Sequence, residues 1–258
     1  MGHEPLDRRS RRDVGAPLRY SSLAMALTVI VGDVHGCTAE VESLLDKVSF
    51  SPGMDRLVFV GDLILRGPDS RGALALARRL GARVVRGNHE QKLLARRTGD
   101  SPVSAEHARL AQELSRDEWA WLEATPHWID LPAHGIRVVH AGVIPGITVD
   151  RVPPEALLRM RTLGGRNGWS DEQDAGPLWG RRYSGPPHVV FGHNARAEPQ
   201  LHRWATGIDT GCVYGGRLTA VVLDEGEPMP RGKAARATLR SVPARRSYQG
   251  PRGKAPSR

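Results

Sequence analysis

Two short runs of β-formers, "LTVIV" at residues 27–31 and "RLVFV" at 56–60, each lead directly into a Gly-Asp pair. That repeated ending limits the fold more than any other feature of the chain. Neither run alternates apolar with polar residues, so both read as strands buried on two faces, as in a parallel sheet covered by helices. Between them, "AEVESLLDKV" puts Val41, Leu44, Leu45 and Val48 on one helical face, and "SPGMD" turns the chain. After the second run, Asp69 or Ser70 caps the helix "RGALALARRL" and Gly81 stops it. A third strand, "RVV", follows, and a helix opens near His89. The pattern is βαβαβα, an α/β architecture.

The second half of the chain is β-rich. A helical insert at residues 104–124 carries a capping box from Ser115 to Glu118. The strand candidates "HWIDL", "IRVVHAG", "HVVFGH" and "LTAVVL" follow, with Gly and Pro between them. With 258 residues, 40% of them hydrophobic, the chain can bury one sizeable core.

The net charge of +9 points to an acidic partner only if the body carries it, and the body does not. Residues 228–258 contain nine Lys or Arg and no acid, and residues 1–22 contain five basic and three acidic residues. Composition therefore divides the chain into a flexible extension over 1–24, a domain over 25–226 and a disordered basic tail over 227–258. Such a tail offers at most a weak, salt-sensitive contact with a polyanion. Met25 is an alternative start, and "RRSRRD" before it imitates an export signal whose cleavage would destroy the Gly-Asp loop. No apolar run reaches the ~18 residues of a membrane span. Cys37 and Cys212 make no disulfide framework, which favours the cytoplasm.

The strand ends carry the chemistry. They read Gly32-Asp33-Val34-His35-Gly36, Gly61-Asp62, Gly87-Asn88-His89-Glu90, His140-Ala141-Gly142 and Gly192-His193. Ligands of open α/β sheets gather at the carboxyl ends of strands, so these loops should converge. Two Asp, one Asn and several His form an oxygen and nitrogen donor set suited to Mn, Fe, Zn or Co. That is more donors than one ion needs. Two ions about 3.5–4 Å apart, sharing a carboxylate, would use them all and activate water for attack on phosphorus.

The ordered blocks "GDVHG", "GDLILRGP", "GNHE", "HAG" and "FGHN" resemble those of the calcineurin-like metallophosphoesterases of the phosphoprotein phosphatase superfamily. The resemblance implies a two-sheet sandwich, a βαβαβ half plus a β-rich half, flanked by helices. It also implies a binuclear centre: Asp33, His35 and bridging Asp62 on one ion, and Asp62, Asn88, His140 and His193 on the other. Arg66 and Arg181 would clamp phosphate, with Arg182 competing for the second place, while Asn88 would also touch substrate. His89 would be the general acid. His107, His127, His134, His188 and His202 lack the Gly-flanked strand-end setting and read as structural or surface groups.

Protein phosphatases of this superfamily place an aspartate before the arginine, where it charges the catalytic histidine; this chain has Leu65. A leucine cannot stabilise an imidazolium, so His89 should be the weaker acid catalyst. A nucleotide or polyphosphate leaving group, with a last phosphate pKa of about 6, tolerates that. Together with "HAGVIPGI" and "IDTGCVYGGRLTAVVL", the pattern resembles the ApaH-like branch, the symmetrical diadenosine tetraphosphate hydrolases. The implied activity is hydrolysis of phosphoanhydrides. The alternatives are a Ser/Thr protein phosphatase or broad phosphomonoesterase and, more remotely, an inactive metal-binding scaffold.

Overall fold

Side chains alternate along β1 (Leu27–Val31) between two separate cores, as the pleat of a strand requires. Val29 and Val31 join Leu44 and Leu74 of the covering helices, whereas Ile30 faces a second layer of strands. The computed structural model describes residues 25–98 and 104–249; the extension expected over 1–24 lies outside the described residues.

From β1 the chain passes through α1 (Thr38–Lys47) to β2 (Arg56–Phe59), then through α2 (Ser70–Arg79) to β3 (Arg83–Val84). These three strands are parallel, in the order β1, β2, β3. Asp69 caps α2 by accepting from Gly72 N, and Val41, Leu44 and Leu45 of α1 are buried as their spacing requires. Then comes α3 (Asn88–Thr98), followed by the insert as α4 (Ala105–Glu113) and α5 (Arg116–Glu123). The capping box of α5 is present in both directions between Ser115 and Glu118.

The second sheet begins with β4 (Trp128–Leu131) and β5 (Ile136–Val139). An excursion follows through α6 (Pro154–Arg159) and the small hairpin of β6 (Thr162–Leu163) and β7 (Trp169–Ser170). The sheet is completed by β8 (His188–Phe191), β9 (Gln200–Leu201) and β10 (Ala205–Gly207), in the order β4, β5, β8, β10, β9. Ile129, Ile136, Val138 and Val190 meet Ile30, Val58 and Val221 of the first sheet, so the two sheets pack face to face. His134 ties the sheets further: its Nε2 lies 2.9 Å from Thr28 Oγ1 on β1.

Two expectations need correction. "LTAVVL" belongs to β12 (Arg217–Asp224), which follows β11 (Asp209–Thr210) and pairs antiparallel with β1, from Leu27↔Asp224 to Val31↔Ala220. It thus lies in the first sheet, not with the β-rich half; its residues announce a strand but not its partner. The second correction concerns the basic tail. Residues 232–238 form a 3₁₀ turn that buries Ala235 and Thr238, and β13 (Leu239–Pro243) pairs with β12 from Val221↔Leu239 to Arg217↔Pro243. The fold runs on to Gln249, where Tyr248 N and Gln249 N donate to Val213 O. Strand addition is made by backbone N–H and C=O groups, which basic residues supply as well as apolar ones, so composition misjudges it. Residues 250–258 lie outside the described residues.

Candidate metal centre

The loops after β1, β2, β3, β5 and β8 come together at one end of the sandwich. They crowd closely enough that a Cβ on Gly192 would lie 1.9 Å from Asp33 Oδ1, and one on Gly87 would lie 2.3 Å from Asp62 N. His35 (φ 48°), Asp62 (φ 49°), Leu65 (φ 67°), Arg66 (φ 70°) and His193 (φ 62°) all adopt the left-handed region. Each such non-glycine residue costs on the order of 1–3 kcal/mol and persists only where its surroundings hold it. Here Glu90, fully buried on α3, does much of the holding. Its Oε2 accepts from Asp62 N and Gly87 N, both at 2.9 Å, and its Oε1 from Leu63 N at 2.9 Å and Ile64 N at 3.3 Å. Glu90 was visible within "GNHE", yet only the fold reveals what it does.

Two donor clusters share Asp62. His35, Asp62 and His89 form one, and Asp62, His140 and His193 the other, with ligand atoms within 4.8 Å of one another in each. Backbone carbonyls set the ring orientations. His35 Nδ1 donates to Ile64 O at 3.1 Å and His140 Nδ1 to Val60 O at 3.0 Å, because a carbonyl can only accept. In a neutral imidazole this leaves the lone pair on Nε2, the arrangement of a metal-ligating histidine. His140 Nε2 then faces Asn88 Oδ1 at 3.1 Å and Asp62 Oδ1 at 3.5 Å. His35 Nε2 faces Asp62 Oδ2 at 3.6 Å. These acceptors converge on one another, and a cation between them resolves the repulsion. His193 inverts the pattern, giving Nε2 to Arg159 O at 3.1 Å and leaving Nδ1 as the donor to an ion. Asp33 belongs to neither cluster but lies beside them; both its oxygens accept from His193 N, at 3.0 and 3.1 Å.

Asp62 also accepts from His89 N at 3.0 Å, so its charge sits at the N-terminus of α3. His89 packs edge-on to His35, with ring centroids 5.1 Å apart. On its other side lies His107 of α4, stacked at 5.8 Å with 9° between the planes. His107 reads from sequence as a structural or surface group, yet it reaches His89 through the insert. Leu65 is buried in the helix-side core, so no carboxylate stands at that position.

Arg66 lies on the β2 loop with its Nη1 donating to Tyr214 Oη. Arg181 shows no bond to these groups, although Trp179 of the same turn donates from Nε1 to Ala141 O of the His140 loop at 3.2 Å. Arg181 itself sits exposed on that 3₁₀ turn, whose Gly180 abuts His202, just before the start of β10. Arg182, which closes the same turn, is also exposed. The charges of Lys92, Arg159 and Arg161 are also felt at the centre, that of Arg161 by His140 and that of Arg159 by Lys92, although Arg159 pairs with Asp171 at 2.7 Å and Arg161 Nη1 donates to Asp171 O. Arg159 and Arg161 flank the end of α6 in a stretch without a motif, so they carry no signal in the sequence.

Burial pushes Asp62 up to about 7, with Asp209 adding to it, against the pull of the His89 N–H and of Arg66. Glu90 moves upward too, through burial and the charge of Asp62. Burial lowers His140 to about 4 and keeps it neutral. A metal must therefore displace a proton from Asp62 below about pH 7 and none from His140. We expect the affinity of the metal-free protein for a divalent ion to fall about tenfold per pH unit below that value, with proton release on binding. Competition titration against a metal indicator at two pH values checks this; equal affinity on both sides would remove Asp62 from the ligand set.

Comparison with known proteins agrees with this geometry. The chain is 30% identical to the symmetrical bis(5'-nucleosyl)-tetraphosphatase of Chromohalobacter salexigens, over 78% of this chain and 96% of that one. It is 34% identical to serine/threonine-protein phosphatase 1 of Salmonella typhimurium, over 74% of this chain and 88% of that one. A solved structure described as a candidate diadenosine tetraphosphatase superposes with a TM-score of 0.73 at 39% identity, covering 90% of this chain and 96% of that one. The profile of one family, the calcineurin-like phosphoesterases, matches residues 27–224, from the first strand to the last residue of β12. Carrying that family's two-sheet fold and a donor set for its two divalent metals, this chain belongs to the calcineurin-like phosphoesterases and is a metal-dependent hydrolase.

Proposed function

We propose that the chain hydrolyses phosphoanhydride bonds, with diadenosine tetraphosphate or a related nucleoside polyphosphate as substrate. The observation that carries the hydrolytic centre is the convergence of Asn88 Oδ1 and Asp62 Oδ1 on His140 Nε2, at 3.1 and 3.5 Å. In this reading Asp33, His35 and Asp62 hold one ion, and Asp62, Asn88, His140 and His193 the other. The mixed oxygen and nitrogen donors suit Mn, Fe, Zn or Co, with manganese well within that range. When bound, such a pair supplies Lewis acidity and an acidified water.

The chain's own groups do the rest. Arg66 presents a planar guanidinium to phosphate oxygens, and its bond to Tyr214 limits where it can point. Arg161, whose charge acts on His140 and whose Nη1 donates to Asp171 O, joins Arg181 as a candidate for the second clamping place. His89 stands over the centre as the proton donor for the leaving oxygen. Burial, together with the charges of His35 and Arg66, holds its pKa well below the ordinary imidazole range, so it rests neutral. A neutral imidazole is a poor acid, which matters for an alkoxide and little for a nucleotide that leaves as an anion. Leu65 and this environment thus favour the anhydride substrate.

His89→Ala should cost ~10²–10⁴-fold on an alkyl phosphate and much less on an anhydride. Steady-state rates of the variant on both substrate types check this, and equal losses would refute the leaving-group argument. A second reading, a Ser/Thr protein phosphatase, is favoured by the likeness to the Salmonella typhimurium enzyme. Metal-loaded protein given diadenosine tetraphosphate, polyphosphate, a phosphopeptide and an aryl phosphate in parallel separates the two; a higher kcat/KM on the phosphopeptide would overturn the anhydride reading. The buried free thiols of Cys37 and Cys212 fit a reducing cytoplasm. No helix among the described residues is long and apolar enough to cross a membrane.

A further inference from the structure

Arg66 holds its left-handed backbone (φ 70°) between two side chains that come from distant parts of the chain. Its N–H donates to Glu106 Oε1 of α4 at 2.7 Å, and its carbonyl accepts from Gln249 Nε2 at 2.6 Å. Gln249 ends a segment that is laced to the site at several points. Ala244 N donates to Gly216 O at 2.9 Å, and Tyr214 pairs with Ser247. Tyr248 N and Gln249 N both donate to Val213 O, at 2.9 and 3.1 Å. Buried Glu40, in the first turn of α1 just beyond the "GDVHG" loop, accepts from Arg245 N at 2.9 Å and from Tyr248 Oη at 2.8 Å. The segment therefore braces Arg66 twice, at its own carbonyl and through Tyr214, whose hydroxyl takes the guanidinium.

We propose that Ala244–Gln249 is a positioning strap for the phosphate-binding arginine, and that Gln249 is its positioning residue. The proposal rests on the reading above that Arg66 grips phosphate. A non-glycine residue in the left-handed region drifts toward its ordinary conformations when a bond that holds it is lost. Misplacing a substrate-positioning group by an ångström can cost ~10²-fold in rate. Loss of one hydrogen bond at an exposed residue should cost less. Glu40 and Glu106 share the work, which makes the strap a link between the C-terminal segment, α1 and the helical insert.

The test uses the full chain, metal-loaded, with Gln249→Ala, Gln249→Glu and Arg66→Ala, and with each Gln249 change combined with Arg66→Ala. The readouts are affinity for inorganic phosphate by calorimetry and kcat and KM on an aryl phosphate. Gln249 is exposed, so neither change should shift the melting temperature. We expect Gln249→Ala to weaken phosphate binding by about 3–10-fold and to raise KM more than it lowers kcat. Gln249→Glu should be worse, because it sets a carboxylate against the Arg66 carbonyl. Neither change should add to Arg66→Ala, since their effect runs through that side chain. Wild-type phosphate affinity in Gln249→Ala, or the same loss in both arginine backgrounds, overturns the strap. Failure of the unaltered protein to bind phosphate overturns both the strap and the role of Arg66. The expected phosphate pattern without turnover of any phosphorylated substrate leaves the strap standing and removes the hydrolase reading.

Discussion

Asp62→Asn is expected to lower turnover by several orders of magnitude while the metal-free protein stays folded. The amide matches the carboxylate in shape, and its Oδ1 can still accept from His89 N, as Asp62 does at 3.0 Å. The backbone N–H of residue 62 keeps its bond to Glu90. What disappears is the charge shared between the clusters around His35 and His140. A neutral amide cannot bridge two cations, and activation of water by a metal pair depends on that bridge. The effect on the metal-free protein should go the other way. Because burial raises Asp62 to about 7, its ionised form costs stability above the unfolded carboxylate pKa near 4, increasingly up to that value. Asn removes that cost, so the metal-free variant should melt no lower than the parent at pH 8. Steady-state kinetics and thermal melting measure both halves; wild-type-like turnover would sink the two-metal mechanism.

Ending the chain after Gly226 should destroy the fold, although composition alone suggests that nothing would be lost. The removed residues include β13, which pairs with β12 along five residues of each strand. They also include Met229 and Val242, buried at 6% and 8% exposure, and Ala235 at 0%. Each large apolar side chain is worth ~1.5–3 kcal/mol when fully buried, against a total stability of only ~5–15 kcal/mol. Removal would also bare the β12 edge and the Val221 and Leu223 face beneath the 3₁₀ turn. We expect the melting temperature to fall by more than about 10 °C, or the protein to aggregate, on circular dichroism and light scattering. A truncated chain that melts like the parent would restore the reading of a dispensable tail.

These outcomes separate what the sequence discloses from what it conceals. The strands β1, β2, β5 and β8 and the loops that follow them were legible because motif and strand coincide: a run of β-formers ends where the glycines begin. Asp33, His35, Asp62, Asn88, His140 and His193 come together for the same reason. Contributions that travel through tertiary packing were not legible. Glu90 works through backbone N–H groups of another loop, His107 through a helical insert without a motif, and the charge of Arg161 from just beyond α6. Arg181 stands in a more motif-like setting, yet its side chain is exposed on a turn held by Trp179 against the His140 loop and by Gly180 against His202. The basic C-terminal segment was misread because a strand that completes a sheet needs backbone groups more than apolar side chains.

The central claim is a centre of two ions joined by Asp62, and metal content measured alongside activity tests it most directly. Full-length protein stripped of metal and titrated with Mn²⁺ should saturate at two ions per chain, with turnover of diadenosine tetraphosphate appearing as the second ion binds. The Asp62→Asn variant should lose that second, activity-linked step. Saturation at one ion with full activity, or activity that is independent of added and bound metal, would contradict the account.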